Sequence, residues 1–277
     1  MIPFTKIQTI GNDFVLIQAE DIRDHELSHV AQTLCDRGFG IGSDGLLVLD
    51  KADGKLWLRM FNADGSEDFC GNGLRCAGLW AFQRGLIGHH SETKHGSVLV
   101  PTTVDESGAV SITLPPASFE PDKVPILRSS SFIDDFVQGV RGTAVSTGST
   151  HFVVFNEKIP DDETFFALGP SLENDPLFPE RTSVMFVQAA DKNTLNMRIW
   201  ERGVGETLGC GTGASAAAVA WSRLDGANGD IVVRSKGGAV TVSLDSWAGP
   251  IRSTSRPVVT FTGQVCVDTQ KSAQLVK

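Results

Sequence analysis

The sequence predicts an α/β (α+β) chain of two pseudo-symmetric domains produced by internal duplication, each a mixed sheet or barrel wrapped around a central helix. Three features carry this expectation: motifs that recur in order at a shift of roughly half the chain, an apolar helix after each Cys-Gly-x-Gly, and a proline-rich break between the copies.

The first recurring block is Ile10-Gly11-Asn12-Asp13-Phe14-Val15-Leu16, echoed by Thr147-Gly148-Ser149-Thr150-His151-Phe152-Val153-Val154. Each is a Gly-polar turn running into an apolar strand. The second, Gly42-Ser43-Asp44-Gly45-Leu46-Leu47-Val48 against Thr182-Ser183-Val184-Met185-Phe186-Val187, is weaker and counts because it keeps the order. The third is the strongest. Leu58-Arg59-Met60-Phe61, a polar loop and Cys70-Gly71-Asn72-Gly73 are matched by Met197-Arg198-Ile199-Trp200, a similar loop and Cys210-Gly211-Thr212-Gly213. A fourth pair, Gly96-Ser97-Val98-Leu99-Val100 and Gly237-Gly238-Ala239-Val240-Thr241, continues the alignment.

After each cysteine, residues 74–83 and 214–224 carry Ala, Leu, Val and Trp nearly all round with few charges, the pattern of a buried helix. Several short β-branched strands are expected around it. The break falls near Pro115-Pro116-Ala117-Ser118-Phe119-Glu120-Pro121, where neither a helix nor a central strand is comfortable. The expected halves are 1–117, with 264–277 returning to it, and 118–263.

A formal net charge of -9 without a Lys/Arg run argues against nucleic acid or an anionic membrane as partner and favours a small polar substrate. Lys6 and Gln8 interrupt the first ten residues, and no stretch approaches ~18 apolar residues, so a cytoplasmic protein is expected. The five cysteines, Cys35, Cys70, Cys76, Cys210 and Cys266, are odd in number and lack CxxC or Cys/His ligand spacing, which speaks against disulfides and against a metal.

A helix start leaves backbone N–H groups unpaired and carries partial positive charge, so it attracts anions and favours thiolate over thiol. Glycine at 71, 73, 211 and 213 keeps side chains away from those donors. One Cys-Gly-x-Gly is a weak signal, since a small buried cysteine is an ordinary core residue. Two at equivalent positions of a duplicated chain point to opposed sulfurs serving one cleft. Such a pair suits inversion of an amino-acid Cα: Cys70 and Cys210 act as acid and base, while donors at Gly71, Asn72, Gly211 and Thr212 hold the α-carboxylate and its growing charge. No electron-sink cofactor is then required. Cys76 lies six residues beyond Cys70, about 240° around the helix at ~100° per residue, and is expected to point away. Cys35 and Cys266 have no motif around them.

On these residues the chain resembles the diaminopimelate epimerase family, nearly end to end. The matching motifs are Gly11-Asn12-Asp13-Phe14, Gly40-Ile41-Gly42-Ser43-Asp44-Gly45, Phe61-Asn62-Ala63-Asp64-Gly65-Ser66, Cys70-Gly71-Asn72-Gly73-Leu74-Arg75-Cys76, and Glu201-Arg202-Gly203-Val204-Gly205-Glu206-Thr207 leading to Cys210-Gly211-Thr212-Gly213. The resemblance implies epimerisation of LL-diaminopimelate to the meso form without cofactor or metal, in a homodimer. It implies Cys70 and Cys210 as the acid/base pair and Asn12, Asn62, Glu201 and Arg202 as ligands of the distal amino-acid end, with His151 and Glu201 tuning the thiols.

Two departures stand out. Gly148-Ser149-Thr150-His151 occupies the place of the family's usual Gly-Asn-Pro-His, and Ser183 stands where an asparagine usually precedes an apolar strand. Both belong to the distal pocket, and a hydroxyl reaches less far than an amide. A cofactor-independent racemase of another amino acid therefore stays open. So do a thiol redox switch built on Cys70 and Cys210 and a non-catalytic binding protein, although the motifs around Asn62 and Glu201 have no purpose in the redox alternative.

Overall fold

A computed structural model describes residues 1–52 and 54–267. Its internal contacts divide the chain into two units, Met1–Val110 joined by the chain from Arg256 on, and Ser111–Ser255. The sequence had suggested breaks after 117 and 263. Of the segment 264–277 expected to return to the first half, 268–277 lie outside the described residues.

The first unit begins with β1 (Ile2–Thr9) and β2 (Asn12–Gln18), an antiparallel hairpin turned by Ile10 and Gly11 at φ 49° and 79°. Then come α1 (Leu27–Cys35), β3 (Gly45–Ala52) parallel to β2, and β4 (Lys55–Asn62) antiparallel to β3. The helix α2 (Gly71–Gln83) leads to β5 (His90–His95), parallel to β4, and β6 (Val98–Val104), antiparallel to β5.

The second unit is entered along β7 (Val110–Leu114). It holds β8 (Asp135–Val137), β9 (Val140–Ser146), β10 (Thr150–Phe155), α3 (Asp162–Glu173), β11 (Ser183–Asp191), β12 (Thr194–Glu201), the short β13 (Gly205–Thr207), α4 (Gly211–Asp225), β14 (Gly229–Ser235), β15 (Gly238–Leu244) and β16 (Ile251–Ser255). β17 (Val258–Val265) then pairs antiparallel with β1 in the first unit.

The duplication is explicit in the topology. The succession β1, β2, α1, β3, β4, α2, β5, β6 is repeated by β9, β10, α3, β11, β12, α4, β14, β15. Pairing alternates antiparallel, parallel, antiparallel, parallel, antiparallel in both. Each parallel step requires a crossover, since a tight hairpin can join only antiparallel strands, and a helix supplies each one. The sequence pattern announced one helix per half. The second of each, α1 and α3, is harder to see because α1 is only nine residues long and α3 contains Gly169 and Pro170.

The cysteine-led helices are the central ones. Every residue from Gly71 to Ala81 of α2 is buried, and α4 buries Gly211, Gly213 and its alanines Ala214, Ala216, Ala217, Ala218 and Ala220. The proline-rich stretch after Leu114 forms neither helix nor strand, and one isolated bridge, Ser118 with Ser146, ties it down. No helix among the described residues is long and apolar enough to cross a membrane.

In the second unit α3 lies against Trp200. A Cβ at Gly169 would sit 2.5 Å from the indole ring, and one turn on, Glu173 accepts the Trp200 Nε1–H at 2.7 Å, so the ring cannot retreat freely. Gly169→Ala gains up to about 1 kcal/mol of helix propensity, against an overpacking cost of about 1–3 kcal/mol. A net loss of up to about 2 kcal/mol is expected on these terms, measured as a lower urea midpoint with unchanged m-value.

Candidate active site

Each site begins at a helix N-terminus. Cys70 is the N-cap of α2, with extended backbone (φ -137°, ψ 109°), and its Sγ accepts the Gly73 N–H at 3.3 Å. Cys210 is the N-cap of α4 with nearly the same backbone (φ -126°, ψ 114°), and its Sγ accepts the Gly213 N–H, also at 3.3 Å. At the third residue after each cysteine a side chain would crowd a core neighbour, which would have to move aside. A Cβ at 73 would fall 2.8 Å from Leu47, and one at 213 would fall 2.6 Å from the Met185 sulfur. Both sulfurs thus lie at the positive end of a buried helix dipole.

The other thiols differ. Cys76 is fully buried, and burial, followed by the charge of Cys70, pushes its thiol far up. Cys35 is also raised by burial, against a hydrogen bond from Ser43 Oγ at 3.1 Å.

In the first unit the polar residues gather where β2 and β3 start and β4 ends. Asn72 Nδ2 donates to Asn12 Oδ1 at 3.0 Å, Arg75 donates to Asn72 Oδ1, and Asn12 Nδ2 donates to Asp44 Oδ2 at 2.7 Å. Arg37 bridges Asp13 and Asp44 at 2.8 Å each, and Lys6 pairs with Asp13 at 2.6 Å. Burial alone would raise the Asp13 carboxyl, but hydrogen bonds from Arg37 and Lys6 outweigh it and hold the group below the usual carboxylate range. Asn62 turns inward on its own loop, donating to Ser66 Oγ at 3.0 Å.

In the second unit the cluster is centred on the turn between β9 and β10. Ser149 Oγ lies 3.0 Å from His151 Nε2 and 3.4 Å from Thr212 Oγ1, which is itself 3.4 Å from Cys210 Sγ. Thr147 Oγ1 donates to the Thr212 carbonyl at 3.0 Å and clips the turn to the helix start. Ser183 Oγ accepts the Arg202 N–H at 3.1 Å, Arg202 donates to the Glu180 carbonyl, and Thr207 donates to Glu201 Oε1 at 2.6 Å. Within their own units, then, Cys70, Gly71, Asn72 and Asn12 are joined, as are Cys210, Gly211, Thr212, Ser149 and His151. Asn62 in the first unit and Ser183, Glu201 and Arg202 in the second stand at the same strand ends.

Four supporting features were not singled out from the sequence. His95, 3% exposed and stacked on Phe69, accepts the Cys70 N–H on Nε2 at 3.0 Å. Burial lowers its imidazole, opposed by a backbone hydrogen bond to Leu58, so it remains an acceptor. Arg59 grips Glu67 with two hydrogen bonds of 2.8 and 2.7 Å, and Arg198 grips Glu206 at 2.7 and 3.3 Å, one clamp beneath each cysteine loop. The recurrence of Arg eleven or twelve residues before each Cys was the available signal for these clamps. Buried Glu173 takes hydrogen bonds from Trp200, Gly203 and Arg181, fixing the Glu201–Arg202 turn. Nothing in its local sequence marks it. Among the described residues no His, Cys, Asp and Glu are grouped as metal ligands would be.

The chain matches the model of the diaminopimelate epimerase family over residues 4–119 and 143–259. It is 38% identical to the diaminopimelate epimerase of Desulfovibrio desulfuricans, with 94% of this chain and 97% of that protein covered. It is 37% identical to that of Moorella thermoacetica, with 96% and 99% covered. Among solved structures, its fold is similar to a hydroxyproline epimerase from Agrobacterium vitis with bound trans-4-hydroxy-L-proline (TM-score 0.70, 15% identity, 98% and 92% covered). It is also similar to a phenazine biosynthesis protein of the PhzF family from Bacillus anthracis (TM-score 0.69, 16% identity, 96% and 99% covered).

The buried His151 gives a pH signature. Burial first, then the charge of Arg202, pushes its imidazole down to about 3. Its pKa is thus depressed on folding, so between about pH 6.5 and 3 the unfolded chain binds the extra proton and stability falls as pH falls. From pH 7.5 to pH 5 this residue is expected to cost the fold about 2 kcal/mol. Urea unfolding at the two pH values should show a drop smaller by that amount in His151→Gln than in the parent.

Proposed function

Because this chain belongs to the diaminopimelate epimerase family, whose members are amino-acid isomerases, we propose that it epimerises LL-2,6-diaminopimelate to the meso form, a step toward lysine and peptidoglycan precursors, with Cys70 and Cys210 as its acid and base. The observation that carries this reading is the twinned N-cap, in which two sulfurs, one per unit, accept a glycine N–H at the same 3.3 Å.

In the proposed step one sulfur, as thiolate, takes the Cα proton and becomes a thiol. The other, as thiol, releases its proton to the opposite face of Cα and becomes a thiolate. Substrate gains and loses one proton, no electrons are transferred, and the two sulfurs exchange protonation states. The N–H groups of Gly71, Asn72, Gly211 and Thr212 hold the α-carboxylate and take up the charge that develops as the Cα–H bond breaks. They are already oriented by the helices, so no reorganisation is needed when charge appears.

The distal ammonium and carboxylate fall to Asn12, Asn62, Glu201 and Arg202, with Ser149 and Ser183 in the places usually filled by amides. Arg202 offers a planar fork to a carboxylate and Glu201 a counter-charge to an ammonium. His151 and Glu201 tune the thiols. Each unit contributes one sulfur, and the protein works as a cytoplasmic homodimer on a free amino acid.

A second reading, the same chemistry on another amino acid, is favoured by one observation. The Ser149 and Ser183 hydroxyls are already engaged, with His151 and Thr212 in one case and the Arg202 N–H in the other. Incubation with a panel of free amino acids in deuterated water separates the two. Deuterium is expected at Cα of diaminopimelate far faster than in any other member, and a different winner would displace the leading assignment. Cys70→Ala and Cys210→Ala should each lower epimerisation by about 10²–10⁴-fold, the usual cost of losing a general acid or base. Near-normal turnover in either variant excludes the two-base scheme.

A further inference from the structure

In the second unit, a line of polar contacts runs from a buried imidazole to the Cys210 sulfur. His151 Nε2, Ser149 Oγ, Thr212 Oγ1 and Cys210 Sγ follow one another at 3.0, 3.4 and 3.4 Å. The turn that carries Ser149 is fixed in place, because Thr147 Oγ1 donates to the Thr212 carbonyl at 3.0 Å and Gly148 adopts φ 100°, which a residue with a Cβ would resist. The spacing is therefore held by backbone anchors as well as by the hydroxyls themselves.

We infer that Ser149 and Thr212 form a hydroxyl relay which joins His151 to Cys210 and stabilises that sulfur as thiolate. This rests on the epimerase reading above and deepens it, by giving a role to the serine that stands where an amide is usual.

The polarity of the relay follows from its buried end. His151 Nδ1 is buried and has no hydrogen-bond partner among the described residues. A buried N–H left without an acceptor is the costlier kind of orphan, so the ring proton belongs on Nε2 and Nδ1 keeps a bare lone pair. Nε2–H then donates to Ser149 Oγ. Ser149 has one proton, which goes to Thr212 Oγ1, and Thr212 in turn directs its own proton at Cys210 Sγ. A line of donors that ends on sulfur favours the anion, because a thiolate is a much better acceptor than a thiol.

No net proton passes along this line. Transfer to His151 would create an imidazolium in a site that burial and the adjacent Arg202 charge make hostile to it. The relay orients dipoles and does not carry the substrate proton, so Ser149, Thr212 and His151 act here as positioning residues. The first unit is built differently at the matching place, since the residue two after its cysteine is Asn72, whose amide donates to Asn12.

The test compares carbamidomethylation of Cys210 and Cys70 by iodoacetamide in the full chain at about neutral pH, where the rate follows the thiolate fraction, with each site quantified by peptide mass spectrometry. Ser149→Ala is expected to slow Cys210 several-fold while leaving Cys70 unchanged, and Thr212→Val to slow it at least as much. Thr212→Ser, which keeps the hydroxyl, should restore the parental ratio. An unchanged Cys210-to-Cys70 ratio in both Ser149→Ala and Thr212→Val overturns the relay, and so does equal slowing of both sites, which would mark a general loss of structure. The readout does not use turnover, so failure to epimerise diaminopimelate would count against the proposed function alone.

Discussion

At the start of each central helix a sulfur replaces the oxygen that usually caps such an end, and the rest of each unit is arranged around that substitution. Serine, threonine or aspartate would satisfy the exposed N–H more strongly, and an oxygen cap contributes about 1 kcal/mol. A thiol is the poorer acceptor. Its presence at the same position in both units, with the same backbone angles and the same glycine three residues on, makes sense as provision of a reactive group. The helix is buried so that its dipole is little screened by water, and Leu47 and Met185 pack close against the glycines of the first turn.

The strands serve this requirement. A helix buried on nearly every side needs sheet around it, and alternating parallel and antiparallel pairing supplies that while returning each strand end to the same edge. Asn12 and Asn62 in one unit, and Ser149, Ser183 and Glu201 in the other, stand at that edge because the topology puts strand starts and ends there. The Arg59–Glu67 and Arg198–Glu206 clamps then shorten the loops that reach the cysteines. The first pair is largely exposed and adds little to global stability, so its importance lies in loop geometry. The second has Arg198 buried and further tied to Asp162.

Much of this was visible in the residues alone. The duplication could be seen because Cys-Gly-x-Gly, the Arg-led strand before it and the apolar helix after it depend on local constraints that repeat in the chain. The helices α1 and α3 could not, one being short and the other interrupted by Gly169-Pro170 where it meets Trp200. Long-range partners were hidden for a different reason. His95 reaches Cys70 across 25 residues and Glu173 reaches Gly203 across 30, and neither has a local pattern because tertiary contact alone defines its role.

Duplication would by itself give two identical sulfurs, yet the proposed two-base inversion calls for opposite protonation states at any moment. The surroundings of the two cysteines differ. Around Cys70 the support is amide and imidazole: Asn72 bound to Asn12, and His95 on the backbone N–H. Around Cys210 it is hydroxyl: Thr212, then Ser149, with a neutral His151 behind them. A carbonyl oxygen or bare ring nitrogen can only accept, and an amide N–H can only donate, whereas a hydroxyl does either and can turn within the same space. The half furnished with hydroxyls can therefore follow a change of charge at its sulfur by rotating bonds, without moving backbone. That asymmetry resides in side chains and leaves the twinned helix starts untouched.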